Sequence, residues 1–176
     1  MMKVYLLTIN IFLTVLAEYY SVYYAHRDMQ DVHPFGAVLC VFALQLLLPA
    51  GLQDTEYLLL PYLYLASAAD IRCGEIPYVS ILGILCLLPY PFHLSLSGVL
   101  FTLLLTVPAS IKEYLGWGDT QLLLVMSAAY GDRIPWVLLI ASVSALCIQM
   151  IKKKKDTILR FGPYLSFAFY VMLFFH

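Results

Sequence analysis

Two aspartates, Asp70 and Asp119, are the residues of this sequence best suited to chemistry. Asp70 follows an apolar stretch that ends at Ala69, and Asp119 precedes another that begins at Thr120. Two carboxylates that face each other do not ionise together easily, so one of them keeps a proton. The ionised carboxylate can activate water while the protonated one donates to a carbonyl oxygen, as in aspartic proteases. The pair therefore indicates hydrolysis of a peptide bond by activated water.

Small and rigid residues flank the two aspartates. Gly116 and Gly118 precede Asp119, and glycine, which lacks Cβ, lets a peptide backbone approach closely. The pair Ile76–Pro77 ends the polar loop after Asp70, and proline fits the first turn of the next helix. Each aspartate alone has a plainer interpretation, as a helix N-cap or as a solvated loop residue. The pair with its glycine context favours the catalytic interpretation.

The composition predicts that these acids belong to a membrane protein. Of the 176 residues, 62% are hydrophobic and only 12% are charged. Water-soluble domains carry about 25% charged residues, so half the usual charge has to cover the surface of this chain. We therefore expect the surface to face lipid. The predicted fold is an all-α, polytopic integral membrane helical bundle, and residues 1–176 are expected to form a single transmembrane peptidase domain.

Eight apolar stretches are candidates for membrane segments, because about 20 helical residues cross the hydrocarbon core. They are Val4–Tyr24, Pro34–Leu52, Tyr57–Ala69, Tyr78–Phe92, Gly98–Leu115, Thr120–Tyr130, Pro135–Ile151 and Ile158–Phe175. One or two are short or re-entrant, and Thr120–Tyr130 would rise only about 16 Å as a helix. Asp70 and Asp119 lie 49 positions apart, which is one hairpin of two helices. Both are therefore expected on the same side of the membrane, and Asp54 and Glu56 in a loop on the other.

Basic residues predict the orientation of the bundle. With eight segments, the side of the two aspartates carries eight basic residues: Arg27, Arg72, Lys112, Lys152, Lys153, Lys154, Lys155 and Arg160. The other side carries only Lys3 and Arg133. The side richer in lysine and arginine is usually cytoplasmic. We expect a multi-pass protein of the plasma membrane, with the two aspartates at the cytoplasmic face and both termini outside.

Other polar and reactive residues have plainer explanations than a second site. The cysteines form no closely spaced metal-ligand pair, and Cys73 near Asp70 is interpreted as a bystander rather than a catalytic thiol. A solvated loop is favoured over a metal site for four residues: His26, Asp28, Asp31 and His33. An aromatic belt explains four tyrosines at the end of the first segment: Tyr19, Tyr20, Tyr23 and Tyr24. No metal, cofactor or nucleic-acid partner is expected, and the lysine run can contact anionic lipid.

Three stretches resemble the type IV prepilin peptidases, including the related preflagellin peptidases. Residues 68–77, Ala-Ala-Asp-Ile-Arg-Cys-Gly-Glu-Ile-Pro, resemble that family's first motif. Residues 116–122, Gly-Trp-Gly-Asp-Thr-Gln-Leu, resemble its Gly-x-Gly-Asp signature. Phe161, Gly162 and Pro163 resemble the Phe-Gly-Pro element that opens its last helix. The order and spacing of the three match, and the resemblance covers residues 58–176. Presenilin-like proteins are less similar, because their Pro-Ala-Leu motif does not occur here.

The resemblance implies a membrane aspartic endopeptidase with Asp70 and Asp119 as its catalytic pair. Its substrate would be a pilin, pseudopilin or preflagellin precursor, whose short basic leader is removed on the cytoplasmic side before an apolar helix. Two positions depart from the family, because Tyr78 stands where asparagine is common and Gln121 where lysine is common. The loop His26–His33 is too short for the cysteine-paired domain of the bifunctional members, so peptidase activity without methylation is expected. Two alternatives are a non-catalytic pilin-binding homologue and a proton- or cation-coupled transporter.

Overall fold

The computed structural model describes residues 4–26, 32–47, 54–87, 95–112, 115–152 and 160–175. Within these ranges the chain forms α-helices and no strand, which confirms the all-α class. The eight helices of the described ranges are α1 (Val4–Tyr24), α2 (Pro34–Leu47), α3 (Asp54–Cys73), α4 (Tyr78–Leu87), α5 (Leu96–Ile111), α6 (Trp117–Tyr130), α7 (Ile134–Lys152) and α8 (Gly162–Met172). Short 3-10 turns, Gly131–Arg133 and Leu173–Phe175, follow α6 and α8.

Some sequence predictions fall on residues outside the described ranges. They include the ends of three predicted segments and several charged residues: Lys3, Arg27, Asp28, Asp31, Lys153, Lys154, Lys155 and Asp156. The eight described helices occur in the same order along the chain as the eight predicted segments. Helix α5 ends at Ile111, four residues before its predicted end, and differences of three or four residues also occur at the end of α3 and the start of α6, where the two aspartates lie.

The helix α3 continues beyond the predicted end at Ala69. It ends at Cys73, so Asp70 lies in the last turn of the helix and not in a loop after it. The helix stops at Gly74, which has a φ of +81° and whose N–H donates to the Asp70 carbonyl oxygen at 2.8 Å. A glycine in the left-handed conformation is a common helix terminator. The predicted apolar stretch ends at Ala69, four residues before the hydrogen-bonded helix ends at Cys73.

The helix α6 begins earlier than predicted, at Trp117. Gly116 is its N-cap residue, and Asp119 lies in its first turn. The interpretation of Asp119 as an N-cap is therefore wrong. Helix α6 is enclosed by the bundle, because it packs against α4, α5, α7 and α8. Its buried side chains include Leu122, Leu123 and Met126. Four other helices of the described ranges thus cover this short helix.

Helix α3 lies at the centre of the other half of the bundle, in contact with α1, α2, α4 and α8. Apolar side chains from five helices meet between it and α6. They are Leu59, Leu63 and Ala66 of α3, Ile81 and Ile84 of α4, Leu122, Leu123 and Met126 of α6, Ile134, Val137 and Ala141 of α7, and Leu165, Ala168, Phe169 and Met172 of α8. This core holds the C-terminal end of α3 and the N-terminal end of α6 at one end of the bundle.

Small residues allow two pairs of helices to pack closely. The buried face of α5 repeats every four residues: Gly98, Thr102, Thr106 and Ser110. A Cβ on Gly98 would lie 2.3 Å from the Gly131 Cα, so only glycine fits there. On α4, a Cβ on Gly83 would lie 2.1 Å from the Tyr62 ring. Such small-residue contacts are typical of helices that pack within membranes.

Polar side chains are concentrated inside the bundle, while many apolar side chains point outward. Buried polar residues occur on α1, α3, α5 and α6, including Asn10, Thr14, Glu18, Glu56 and Thr102. Glu56 was predicted in a loop, but it lies in the first turn of α3 with its carboxylate 3.5 Å from the Tyr130 hydroxyl. Helix α3 starts at Asp54, before the apolar stretch begins, so its first turn includes Glu56.

By length and composition, two helices in the described part of the chain could cross a membrane. They are residues Tyr5–Tyr24 of α1 and Ile134–Ile151 of α7, with mean hydropathies of 1.3 and 2.1. The core helix of a soluble protein and a signal sequence can meet the same requirement. The shorter apolar helices are Pro34–Leu47, Tyr78–Leu87 and Leu96–Ile111.

Candidate active site

Asp70 and Asp119 line the same cavity, which has a volume of about 260 Å³. Asp70 comes from the C-terminal end of α3 and Asp119 from the N-terminal end of α6. Both are buried, with 5% and 7% of their surfaces exposed. The other lining residues are Tyr24, Gly74, Glu75, Ile76, Tyr78, Gly116, Trp117, Gly118 and Gln121. The structure thus brings together the two carboxylates that the 49-residue spacing places on one side.

The Asp70 carboxylate is held by the start of α8. The Gly162 N–H donates to Asp70 Oδ2 at 3.0 Å. This N–H belongs to the first residue of the helix, where free backbone donors and the helix dipole favour an anion. Pro163 follows in the first turn, where its missing N–H costs no hydrogen bond. The Phe161-Gly162-Pro163 element therefore provides a partner for Asp70 from 92 residues further along the chain.

Arg160 fixes the end of α3 from the same side. One guanidinium nitrogen, Nη1, donates to the Asp70 carbonyl oxygen at 2.8 Å and also to the Ile71 carbonyl oxygen. A cation at the last carbonyl groups of a helix is stabilising, because these groups have no partner within the helix. Residues 160–163 thus hold both the backbone and the side chain of Asp70.

Asp119 has a different environment. Its carboxylate lies beside Gly116, the N-cap residue of α6, where an added Cβ would be 3.2 Å from Asp119 Oδ2. The other oxygen, Oδ1, is buried and has no hydrogen-bond partner among the described residues. Buried polar atoms are nearly always hydrogen-bonded to protein or to water. Since Asp119 lines the cavity, Oδ1 is available to a water molecule or a substrate group there.

The first and second motifs contact each other directly at Gly118. A Cβ at this position would lie 3.0 Å from the Ile76 Cβ, which is closer than side chains normally pack. Ile76 is buried and belongs to the apolar core, and Pro77 after it is also buried. Glycine at position 118 therefore allows the loop after α3 to lie against the start of α6. This contact brings the loop that follows Asp70 against the helical turn that carries Asp119.

All nine residues predicted for the site lie in or beside this cavity. Asp70, Asp119, Ile76, Gly116 and Gly118 line it, Pro77 follows Ile76, and Gly162 bonds to Asp70 between Phe161 and Pro163. Comparison with protein-family models, with curated proteins and with solved structures finds no match to this chain. The relation to the prepilin peptidases therefore stays a prediction that depends on these residues.

Glu18 of α1 is a buried acid that was not among the residues predicted from the sequence. Its side chain is 1% exposed and forms an ion pair with Arg72, with 2.6 Å between Oε1 and Nη2. The Tyr64 hydroxyl donates to Glu18 Oε2 at 2.6 Å, and the His33 backbone N–H donates to Oε1 at 3.1 Å. The signal was present in the sequence, because an acid inside an apolar helix is a candidate for a structural or functional role.

Four further residues line the cavity: Tyr24, Glu75, Tyr78 and Gln121. The Tyr24 hydroxyl, assigned from the sequence to an aromatic belt, donates to Glu75 Oε2 at 3.1 Å, and both side chains line the cavity. The two positions that depart from the family, Tyr78 and Gln121, line it as well. Cys73 is not among the lining residues, and its thiol donates to the Ala69 carbonyl oxygen at 3.0 Å.

Proposed function

We propose that this chain is a membrane aspartic endopeptidase that removes the basic leader of prepilin-like precursors at the cytoplasmic face. One observation carries the proposal: three stretches far apart in sequence, each similar to a peptidase motif, meet at one cavity. Asp70 of the first is bonded to Gly162 of the third, and Ile76 of the first packs on Gly118 of the second.

The different environments of the two carboxylates assign their roles. Asp70 accepts the Gly162 N–H at a helix N-terminus, which favours its ionised form. Asp119, buried with Oδ1 unbonded by the described residues, holds the shared proton. Asp70 takes a proton from water as the water oxygen attacks the carbonyl carbon, and Asp119 donates its proton to the carbonyl oxygen. Asp119 then recovers a proton from one hydroxyl of the tetrahedral intermediate, Asp70 protonates the leaving nitrogen, and the C–N bond breaks.

Three features support a multi-pass arrangement in the membrane. In the apolar stretch Ile134–Ile151 only 22% of the residues are buried in the bundle, whereas the core helix of a soluble protein is mostly buried. Large apolar side chains are exposed on several helices, including Phe12, Leu104, Trp136 and Met150. Several polar side chains lie inside instead, including Asn10, Glu18 and Thr102, as expected for a protein surrounded by lipid. The lipid bilayer is therefore the proposed environment of the whole bundle.

The positions of the described basic residues support the proposed orientation. Arg72 and Arg160 lie at the end of the bundle that holds Asp70, and Lys112 follows α5 at the same end. Arg133 lies at the opposite end, in the turn after α6. An excess of basic residues marks the cytoplasmic side. The proposal accordingly places the cavity at the cytoplasmic face of the plasma membrane and both termini outside.

The function is tested with the full chain, purified in detergent and reconstituted in lipid nanodiscs. The substrate is a synthetic precursor with a short lysine-rich leader followed by one apolar helix. We expect a single cut at the junction, found by mass spectrometry, at a rate that a metal chelator does not change. Binding of the precursor without cleavage would favour a non-catalytic homologue. Proton or cation uptake into liposomes without cleavage would favour a transporter, and either result would refute the peptidase.

Gly162 provides a test of how Asp70 is positioned. In Gly162→Ala the new Cβ would lie 2.8 Å from Asp70 Oδ2 and 3.1 Å from its Cβ, so the carboxylate must move. Displacement of a catalytic group by about 1 Å can reduce the rate about 100-fold. We expect kcat to fall by about 10- to 100-fold, measured by the precursor-cleavage assay.

Gly36→Ala is the matched control for this substitution. Gly36 lies in α2, and nothing lies within 4 Å of the position its Cβ would take. Alanine is favoured over glycine in a helix, so stability should stay equal or rise slightly. Cleavage by Gly36→Ala should equal that of the wild type. Equal rates for Gly162→Ala and Gly36→Ala would contradict the role of the α8 N-terminus in holding Asp70.

A further inference from the structure

The cavity that contains the two aspartates has an unbalanced set of side chains. Three carboxylates line it, those of Asp70, Asp119 and Glu75, together with three aromatic rings, those of Tyr24, Tyr78 and Trp117. No lysine, arginine or histidine belongs to the described residues that line it. A cavity of this composition is suited to a cationic ligand, since carboxylates and aromatic faces both attract positive charge.

The two arginines near the cavity are already engaged. Arg72 forms the ion pair with Glu18, and it also donates to the Ser21 hydroxyl. Arg160 donates to the carbonyl oxygens of Asp70 and Ile71. Both guanidinium groups therefore have partners other than the Glu75 carboxylate. The carboxylates of the cavity can thus bind a cationic group that comes from outside the described part of the chain.

The proposed hydrolysis does not use the Glu75 carboxylate, which lines the same cavity. Its side chain is exposed, and the Tyr24 hydroxyl donates to its Oε2 at 3.1 Å, which limits the orientations of the carboxylate. Tyr78 and Trp117 line the same cavity with 68% and 58% of their surfaces exposed. Large aromatic rings exposed beside an oriented carboxylate are a common arrangement for binding an ammonium or guanidinium group.

An independent observation indicates that the cavity binds a ligand. Asp119 is 7% exposed, it lines the cavity, and its Oδ1 has no partner among the residues that the structure describes. A buried carboxylate oxygen without a partner is unfavourable unless a donor reaches it. The same cavity therefore has a place for a reacting group at Asp119 and an exposed carboxylate at Glu75.

We propose that Glu75, with the rings of Tyr78 and Trp117, binds a lysine or arginine side chain of the peptide that is cut between Asp70 and Asp119. This inference rests on the proposed function for the cleavage, and it adds the residue that selects a basic leader. Glu75 takes no part in the proton transfers. Its replacement should change substrate binding and leave the chemical step nearly unchanged.

The test compares two precursors in the cleavage assay, one with a lysine-rich leader and one with glutamates at the same leader positions. In Glu75→Gln, loss of one partly solvated charge pair should raise KM for the basic leader about fivefold, with kcat within about twofold. Glu75→Asp keeps the charge and should retain most of the affinity. In Glu75→Lys the kcat/KM ratio of basic to acidic leader should fall at least about tenfold, since attraction becomes repulsion.

Asp132→Asn is the matched control, because it removes one acid from the turn Gly131–Arg133 at the opposite end of α6. It should leave both precursors unaffected. If Glu75→Gln and Glu75→Lys cut both precursors as the wild type does, the inference is overturned and the peptidase stands.

A binding measurement separates the two hypotheses if the wild type cuts neither precursor. A fluorescent lysine-rich leader peptide is titrated with the full chain in nanodiscs, and its anisotropy gives Kd. Binding that weakens at least about threefold in Glu75→Gln and at higher salt would support the cationic site although the peptidase had failed. Absent binding, or binding that is equal in the wild type and Glu75→Gln, would overturn the cationic site as well.

Discussion

Exchange of Asp119 for asparagine is expected to abolish cleavage of the prepilin-like precursor while the bundle stays folded. An asparagine can neither give up nor recover the proton that the carbonyl oxygen receives, so the acid step is lost. General acid–base catalysis typically increases the rate about 10²- to 10⁴-fold, and kcat should fall by at least about 10²-fold. Asp70→Asn should have an equal effect, because the base that accepts the proton of water is removed. Single-turnover cleavage measured by mass spectrometry gives both rates.

The same variants should leave stability unchanged or slightly raised. Both carboxylates are buried, and an ionised carboxylate loses favourable hydration when it is buried. An asparagine amide carries no charge and has nearly the same shape. Thermal unfolding in detergent should therefore give a Tm equal to or above that of the wild type. Asp132→Asn, which removes an acid from the opposite end of α6, should keep the cleavage rate.

The double variant distinguishes a catalytic pair from two independent residues. Residues that act as a unit have strongly non-additive effects, because the first loss already removes the shared step. Asp70→Asn combined with Asp119→Asn should therefore be no slower than the slower single variant. Additive losses would indicate separate roles, and cleavage by Asp119→Asn at the wild-type rate would refute the mechanism.

The sequence was most informative about which helices exist and least informative about where they end. The predicted segment Val4–Tyr24 agrees with α1 at both ends. The end of α3 was missed because hydropathy follows apolar side chains, whereas the helix continues until Gly74 adopts a positive φ. Similarly, the start of α6 depends on the backbone hydrogen bond from the Thr120 N–H to the Gly116 carbonyl oxygen, at 3.1 Å.

The membership of the candidate site could be predicted, but not most of its contacts. The spacing of Asp70 and Asp119 and the resemblance to a peptidase placed both on one side. The hydrogen bond from Gly162 to Asp70 joins residues 92 positions apart, and no local pattern indicates which oxygen it reaches. The partners of Glu18 come from α3 and from the start of α2, so only the packing of three helices identifies them.

Glu18→Ala is expected to cause a large loss of stability. Glu18 is 1% exposed, and the Arg72 side chain with which it forms an ion pair is 21% exposed. This ion pair joins α1 to α3, and Arg72 lies two residues after Asp70. Removal of one partner of a buried ion pair costs about 3–5 kcal/mol of the free energy of unfolding. Because the Arg72 side chain is 21% exposed, we expect a loss at the lower end of this range. Equilibrium unfolding in mixed micelles measures the loss. Glu75→Gln removes an exposed acid and should change the free energy by less than about 0.5 kcal/mol.

A double variant tests whether the uncompensated charge, rather than lost packing, causes this effect. Apolar residues of similar volume often replace a buried ion pair without loss of stability. Glu18→Leu with Arg72→Met leaves neither charge buried, so it should be more stable than either single variant. Its cleavage rate should recover as well, since the last turn of α3 that carries Asp70 is again held against α1. If the double variant is as unstable as Glu18→Leu alone, the hydrogen bonds of Glu18 to Tyr64 and His33, and not its charge pair, hold the two helices together.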